Sequence, residues 1–212
     1  MKTVTPKAYQ FNELSEEAKA KALDNNRDFN TSDEYWYENV IEDAIEIGGL
    51  FGIDIDKIYF SGFCHQGQGA QFVGDYAYKK GGLKAVKAYA PLGTFLHNIV
   101  KELQDIQRRY FYALSATVET NGGYSHEMAT TIEVLDDRMT YGCGLESSAE
   151  EEVKNLLRAY MLWIYSNLEA ENDYQTGDVA IAQSLQSNDM EFTVDGSDYS
   201  DRYQPNHSIE RN

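Results

Sequence analysis

The sequence predicts an α+β fold: a mostly antiparallel sheet built from two hairpins with several helices packed on it, in a single domain over residues 1–196 followed by a polar, mobile tail, 197–212. Three observations carry this. Apolar residues recur at three- and four-residue spacing in several segments, the mark of helices with one buried stripe. Between these stand two pairs of extended runs, rich in aromatic and β-branched residues, joined through glycine-containing connections. Apolar residues make up 42% and aromatic residues 13% of the 212 residues, with 3 prolines, which is enough to bury a core rather than stay disordered.

The first helix is expected over Glu16–Asn25, with Ser15 as its cap and Glu16 and Glu17 on the positive end of the helix dipole. In the second, Ser32 is the expected cap, Asp33 and Glu34 fill the first turn, Trp36, Val40, Ala44 and Ile47 repeat at helical spacing, and Gly48-Gly49 ends the element. Tyr37, Ile41 and Ile45 widen its apolar stripe, while Glu38, Glu42, Asp43 and Glu46 make its other side acidic. From Lys57 the pattern becomes extended through Ile58, Tyr59, Phe60 and Phe63, and Gln71–Tyr78 is extended again, so the two read as a hairpin joined by residues 64–70. Helices follow over Leu83–Tyr89 and Thr94–Arg109, the latter with Phe95, Ile99, Leu103 and Ile106 on one stripe. Tyr110–Glu119 and Tyr124–Val134 form the second hairpin about Asn121-Gly122-Gly123. After a loop containing Gly142 and Gly144, a long helix runs from Ser148 to about Glu171 with Val153, Leu156, Leu157, Tyr160, Ile164 and Leu168 inward. A helix over Asp178–Ser187 and a short strand, Glu191–Val194, complete the order.

Charge and cysteine usage narrow the function classes. Asp and Glu number 35 against 18 Lys and Arg, a net charge of −17. That field repels phosphate backbones and anionic headgroups, so neither direct nucleic-acid binding nor membrane-surface binding is expected. Cys64 and Cys143 lie far apart without a second cysteine or paired histidines at ligand spacing, so no structural metal site and no disulfide framework is implied. No signal-type or membrane-spanning apolar run is present, and the expected compartment is the cytoplasm.

The segment Ile58-Tyr59-Phe60-Ser61-Gly62-Phe63, followed by Gln66-Gly67-Gln68-Gly69-Ala70-Gln71-Phe72, resembles a group of phage- and plasmid-borne proteins of poorly defined function. Their shared stretch reads roughly F-S-G-F-W-S-Q-G-D-G-A-x-F. The likeness extends to Phe11-Asn12-Glu13-Leu14-Ser15, to Tyr124-Ser125-His126 and to Trp163-Ile164-Tyr165 with the residues after it, over most of 9–196. It implies a mobile-element setting, in a host-cell cytoplasm, and some members carry a loose label as antitoxins of toxin–antitoxin systems. Cys64 and His65 stand where the pattern has Trp and Ser, and Gln68 where it has Asp. An amide neither takes up a proton usefully nor supplies charge to a cation, which weakens an enzymatic use of that position.

Two uses of the glycine-rich loop are open. It can bring backbone N–H groups to a nucleotide, with Phe60, Phe63 or Phe72 stacking on the base and Gln66 and Gln68 reading its edge. Alternatively it is a wide hairpin connection whose glycines take positive φ and whose aromatics fill the core. The candidate ligand site is therefore Phe60, Ser61, Phe63, Gln66, Gly67, Gln68, Gly69 and Phe72, with Tyr124 and His126 added through the resemblance. Cys64, His65 and His126 supply a nucleophile and base by type only; no orienting group or oxyanion site is evident, so no catalytic residue, cofactor or metal is assigned.

The expected function is an accessory protein that counters a host defence, either by binding a defence protein through Glu38, Glu42, Asp43 and Glu46 or by sequestering a nucleotide messenger at the loop. An antitoxin that neutralises a cognate toxin and a small nucleotide- or protein-modifying enzyme are the alternatives. A homodimer is consistent with the 16 tyrosines.

Overall fold

The computed structural model describes residues 7–33, 35–138 and 147–199. Among these residues the expected α+β architecture is present as a four-stranded antiparallel sheet, a two-stranded sheet and six α-helices. The described residues group into two compact units, one drawn from 1–36 and 171–212 and a larger one over 37–170.

In the larger unit the elements are α2 (Glu38–Phe51), β2 (Ile53–Phe60), β3 (Ala70–Ala77), α3 (Gly82–Tyr89), α4 (Thr94–Arg109), β4 (Leu114–Thr120), β5 (Thr130–Asp136) and most of α5 (Ser147–Gln175). The sheet order is β2-β3-β4-β5, all antiparallel, so two hairpins lie side by side with α3 and α4 inserted between them. Alternation puts Ile53, Ile55, Ile58, Phe72, Tyr76, Ala116, Val118, Ile132 and Val134 on one face, where they form a single core with the buried residues of α2 to α5. The opposite face carries Asp75, Thr117, Glu119, Thr131 and Glu133, all exposed. A β-bulge at Asp56 interrupts the β2–β3 register between Ile55 and Lys57.

The smaller unit joins β1 (Tyr9–Gln10) to β6 (Glu191–Phe192) as an antiparallel pair, with α1 (Glu16–Asn25) and α6 (Asp178–Ser187). Its core is Phe11, Leu14, Ala18, Ala22, Ile181, Leu185 and Phe192. The Ser15 side chain accepts from the Ala18 N–H at 3.3 Å, as a cap must. β1 is a strand that two residues without alternation could not announce.

Several boundaries move, each for a local reason. Ser32 does not cap α2: its hydroxyl donates to the Phe29 carbonyl at 3.2 Å, and the Asp33 carboxylate takes the Tyr35 N–H at 3.0 Å. Such side-chain bonds compete with the helix, which starts only at Glu38 after a 3-10 turn over Tyr35–Tyr37. Gly48-Gly49 does not end α2 either; Gly52, left-handed at φ 102, does so after Phe51. In α4 the buried stripe runs through Leu96, Ile99, Val100, Leu103 and Ile106, and Phe95 is 53% exposed.

The second hairpin is shorter than its alternation suggested. After α4 the chain turns with Phe111 and Tyr112 both left-handed, at φ 56 and 63, and the Tyr112 N–H donates to the Gln107 carbonyl at 2.7 Å. β4 therefore begins at Leu114 rather than Tyr110. A 3-10 turn over Glu127–Ala129 takes the place of the first residues expected in β5. At the other end, Ser197 is buried and its carbonyl accepts from the Thr193 N–H at 2.8 Å, so the start of the expected tail is ordered structure. Glu34, Cys143, Gly142, Gly144 and residues 200–212 lie outside the described residues.

Candidate functional site

The loop between β2 and β3 spans residues 61–69 and is held largely by its own groups. The Ser61 N–H donates to the Gly69 carbonyl at 3.0 Å, and the Gly69 N–H donates back to Ser61 Oγ at 3.0 Å. The Gln68 N–H donates to the His65 carbonyl at 3.3 Å, while Gln68 Oε1 accepts from the His65 N–H at 2.7 Å. One of the two amide side chains expected to read a ligand is thus engaged in shaping the loop. Gln66, Cys64 and His65 remain exposed at its tip.

The two segments singled out in the sequence meet here. Tyr124 Oη donates to the Gly67 carbonyl, Ser61 Oγ donates to the Ser125 carbonyl at 3.1 Å, and a Cβ on Gly69 would stand 3.2 Å from His126 Cα. The connection between β4 and β5 therefore forms one wall of the loop. The Tyr124 and His126 rings lie stacked, 6.0 Å apart and 10° from parallel. The Met128 N–H donates to His126 Nδ1 at 3.1 Å, and Glu127 Oε2 lies 3.3 Å from the same nitrogen.

Aromatic rings form the other wall. Tyr37 meets Phe60 edge-on at 4.9 Å, Phe60 stacks on Phe63 at 6.0 Å, and Phe63 stacks on Tyr165 of α5 at 5.4 Å. Tyr165 Oη donates to the Gly62 carbonyl at 2.9 Å, and its own proton is held more tightly than in water because burial disfavours the phenolate. Phe72 is fully buried, edge-on to Tyr160 at 6.3 Å, and faces the core rather than the loop. Of the three phenylalanines expected to stack on a base, Phe60 and Phe63 are half-buried in the ladder.

Gln71 closes the Ser61–Gln71 loop on which the sequence places the site, and the structure gives it a role that the sequence did not assign. Its Nε2 donates to Thr120 Oγ1 at 2.9 Å and to the Tyr124 carbonyl at 3.2 Å, clamping the wall, and its buried Oε1 has no hydrogen-bond partner among the described residues. Sheet alternation would accept any polar residue at that position, so nothing in the sequence signalled the clamp on Thr120 and Tyr124. Tyr165 was within reach, since it belongs to the Trp163-Ile164-Tyr165 stretch that the resemblance marked.

The acidic residues divide in the structure. Glu38, Glu42 and Glu46 are exposed, whereas Asp43 is half-buried and accepts from Tyr89 Oη at 2.7 Å, with Glu46 also within 3.2 Å of that hydroxyl. Beside them runs a groove of about 420 Å³ lined by Tyr37, Ile41 and Ile45, by Asp56 to Phe60 of β2, and by Ser125. Among the described residues no three metal-ligating side chains converge, and no helix is long and apolar enough to cross a membrane.

A family described as a domain of unknown function, DUF8835, matches residues 36–178. The chain belongs to it. The DUF8835 match takes in both hairpins, the glycine-rich loop with both of its walls, and all of α5, and it stops at the first residue of α6. No curated protein and no solved structure matches the chain.

The walls of the loop make one direct prediction. Gly67 has φ 90, and an alanine Cβ there would run into Tyr124 Oη. Gly67→Ala is expected to loosen the loop, at a cost of about 1–2 kcal/mol from the left-handed backbone alone. Faster amide exchange at residues 61–69 with the rest of the sheet unchanged is the expected reading; an unaltered loop would mean that Tyr124 does not hold it.

Proposed function

We propose that this DUF8835 chain is a binding protein that engages another protein through the acidic side of α2 and the groove beside it. In a phage or other mobile-element setting, it would use that surface to block a host defence protein. The observation that carries the reading is the pairing of two neighbouring stripes at the start of α2 and the turn before it, an apolar one running from half-buried Tyr37 and Ile41 to exposed Ile45 and an exposed acidic one. Tyr37, Ile41 and Ile45 are spaced by four and line the groove, and Glu38, Glu42 and Glu46, one residue on, form the stripe alongside. An apolar centre with a charged rim is the anatomy of a protein interface. The net charge of −17 adds long-range attraction for a basic partner.

The loop supports a small-ligand reading less well, because Gln68 and Ser61 are occupied in holding it and Phe72 faces away. The mobile-element setting rests on the F-S-G-F and Q-G-Q-G segments and their resemblance to phage- and plasmid-borne proteins. An antitoxin would use the same surface against a toxin, and an adjacent toxic gene would favour it.

Charge reversal tests the reading. Wild-type protein and a Glu38→Lys, Glu42→Lys variant are each used to capture partners from cells of the host. A protein recovered by the wild type and reduced about tenfold or more by the variant, equivalent to ~1.4 kcal/mol, is the expected result. Equal recovery would sink the acidic surface, and a nucleotide released on denaturing the purified protein in native mass spectrometry would return the function to the loop.

A further inference from the structure

Basic side chains are spread unevenly along the chain. Between Asp75 and Glu102 stand five lysines and no acidic residue, in a protein with a net charge of −17. Lys84 and Lys87, three residues apart on α3, are exposed, and so are Glu42 and Glu46, four apart on α2; none of the four is in an ion pair among the described residues. α3 runs antiparallel along α2. A Cβ on Gly82, at the start of α3, would stand 2.8 Å from Phe51 Cα at the end of α2, and Tyr89 Oη, at the end of α3, donates to Asp43 at 2.7 Å. α3 therefore packs on the Asp43 side of α2, whereas Ile41 and Ile45 line the groove on the other side. The exposed carboxylates lie between, so the two helices present neighbouring ridges of opposite sign.

We infer that this surface binds a second copy of the chain, with α2 of each copy lying on α3 of the other. Two adjacent ridges of opposite charge are self-complementary under a half-turn about an axis that runs between and along them. The contacts at the two ends of α3 fix the register. At about 1.5 Å of rise per residue in both helices, Lys84 and Lys87 stand alongside residues 46–49 of their own α2. The half-turn then sets them across from Glu46 and Glu42 of the other copy. Apolar surface is available at the same end: around the turn from α3 to α4, Tyr89 is 43%, Leu92 93% and Phe95 53% exposed. The same operation brings this turn over the first half of the other copy's α2, where Ile45 is also exposed.

An anionic membrane fits the lysines less well, because the acidic ridge beside them would be repelled by the same headgroups. A second copy supplies a complement of the right sign, spacing and register from the chain's own surface. The inference does not depend on the binding role proposed above, but it bears on it: a basic host protein and a second copy would compete for Glu42.

The test is sedimentation velocity of the purified full chain at about 100 μM and ~0.15 M salt, where repulsion between the two net charges is screened beyond about 8 Å while pairs in contact persist. The wild type is expected as a dimer. Lys84→Glu with Lys87→Glu, and Glu42→Lys with Glu46→Lys, are each expected to weaken self-association about tenfold or more. An equal mixture of these two variants is expected to recover a dimer, since each carries the ridge that the other lost, and that recovery excludes misfolding as the cause. A monomeric wild type overturns the inference, as does a dimer that neither variant weakens. A monomer that sediments with phosphatidylserine vesicles, and ceases to do so in the Lys84→Glu, Lys87→Glu variant, also overturns it and gives the lysines to a membrane. None of these failures touches the acidic surface as a site for a host protein, which is read separately by capture with the Glu38→Lys, Glu42→Lys variant.

Discussion

Alanine at position 52 is expected to unfold the larger unit at denaturant concentrations where the wild type remains native. Gly52 ends α2 at φ 102, its N–H donates to the Gly48 carbonyl at 3.1 Å, and its carbonyl accepts from the Ala77 N–H at 2.9 Å. A side chain there meets two penalties. The left-handed backbone costs an L-residue about 1–2 kcal/mol. In addition, the new Cβ would overlap the Ala77 carbonyl oxygen and lie 3.1 Å from its carbon, so the end of β3 must shift. Together these should lower stability by ~3 kcal/mol or more, read as a fall in the urea midpoint at unchanged slope. Gly49→Ala is the internal control, because nothing lies within 4 Å of a Cβ there. In mid-helix that change should be neutral or stabilise by about 0.5–1 kcal/mol. Equal midpoints for the two variants would refute the steric account of Gly52.

Gln107→Leu is expected to have an effect of similar size by a different route. Gln107 is fully buried in α4, where its Nε2 donates to the Leu114 carbonyl at 2.7 Å and to Tyr76 Oη at 3.2 Å, and its Oε1 accepts from the Leu114 N–H at 3.2 Å. One side chain thus satisfies the first backbone groups of β4 and the hydroxyl of a core tyrosine. Leucine fills the volume but leaves these groups buried and unpaired, which should cost about 2–4 kcal/mol. Burial already pushes the Tyr76 phenol up to about 12, and Gln107 is the one neighbour opposing that shift. Loss of the amide should therefore raise the Tyr76 titration further, which the ring-carbon NMR signal of Tyr76, assigned by its loss in Tyr76→Phe, follows individually. A Tyr76 titration that falls or stays in place would show that the Gln107 bond does not act on the phenol.

The sequence carried most of the secondary structure because periodicity and capping are local. α1, α4 and α6 match their expected bounds residue for residue, since Ser15, Gly93 and Gly177 stand at clear transitions in pattern. What escaped it depends on partners distant in the chain. β1 exists only because Glu191 and Phe192 pair with it, and Phe111 and Tyr112 look like strand residues until Gln107 fixes the turn before them. The candidate site divides in the same way. The glycine-rich loop and Tyr124–His126 were each visible as segments, but their contact through Tyr124 Oη, Ser61 and Ser125 is a product of strand order. Whether Phe72 faces a ligand or the core likewise turned on which side of β3 the helices cover.

The turn after α4 also bears on how far the molecule can be altered. Phe111 and Tyr112 hold a conformation that glycine adopts without steric cost, and Phe111 is 75% exposed, with the Arg138 guanidinium 4.9 Å from its ring centre. Stability there is below what the backbone could deliver. Glycine at 111 would widen the margin separating the native state from the threshold at which folding fails. Changes to the groove or the loop that are too damaging in the natural background would remain measurable in that one, so the aromatic turn sets how deeply the binding surface can be dissected.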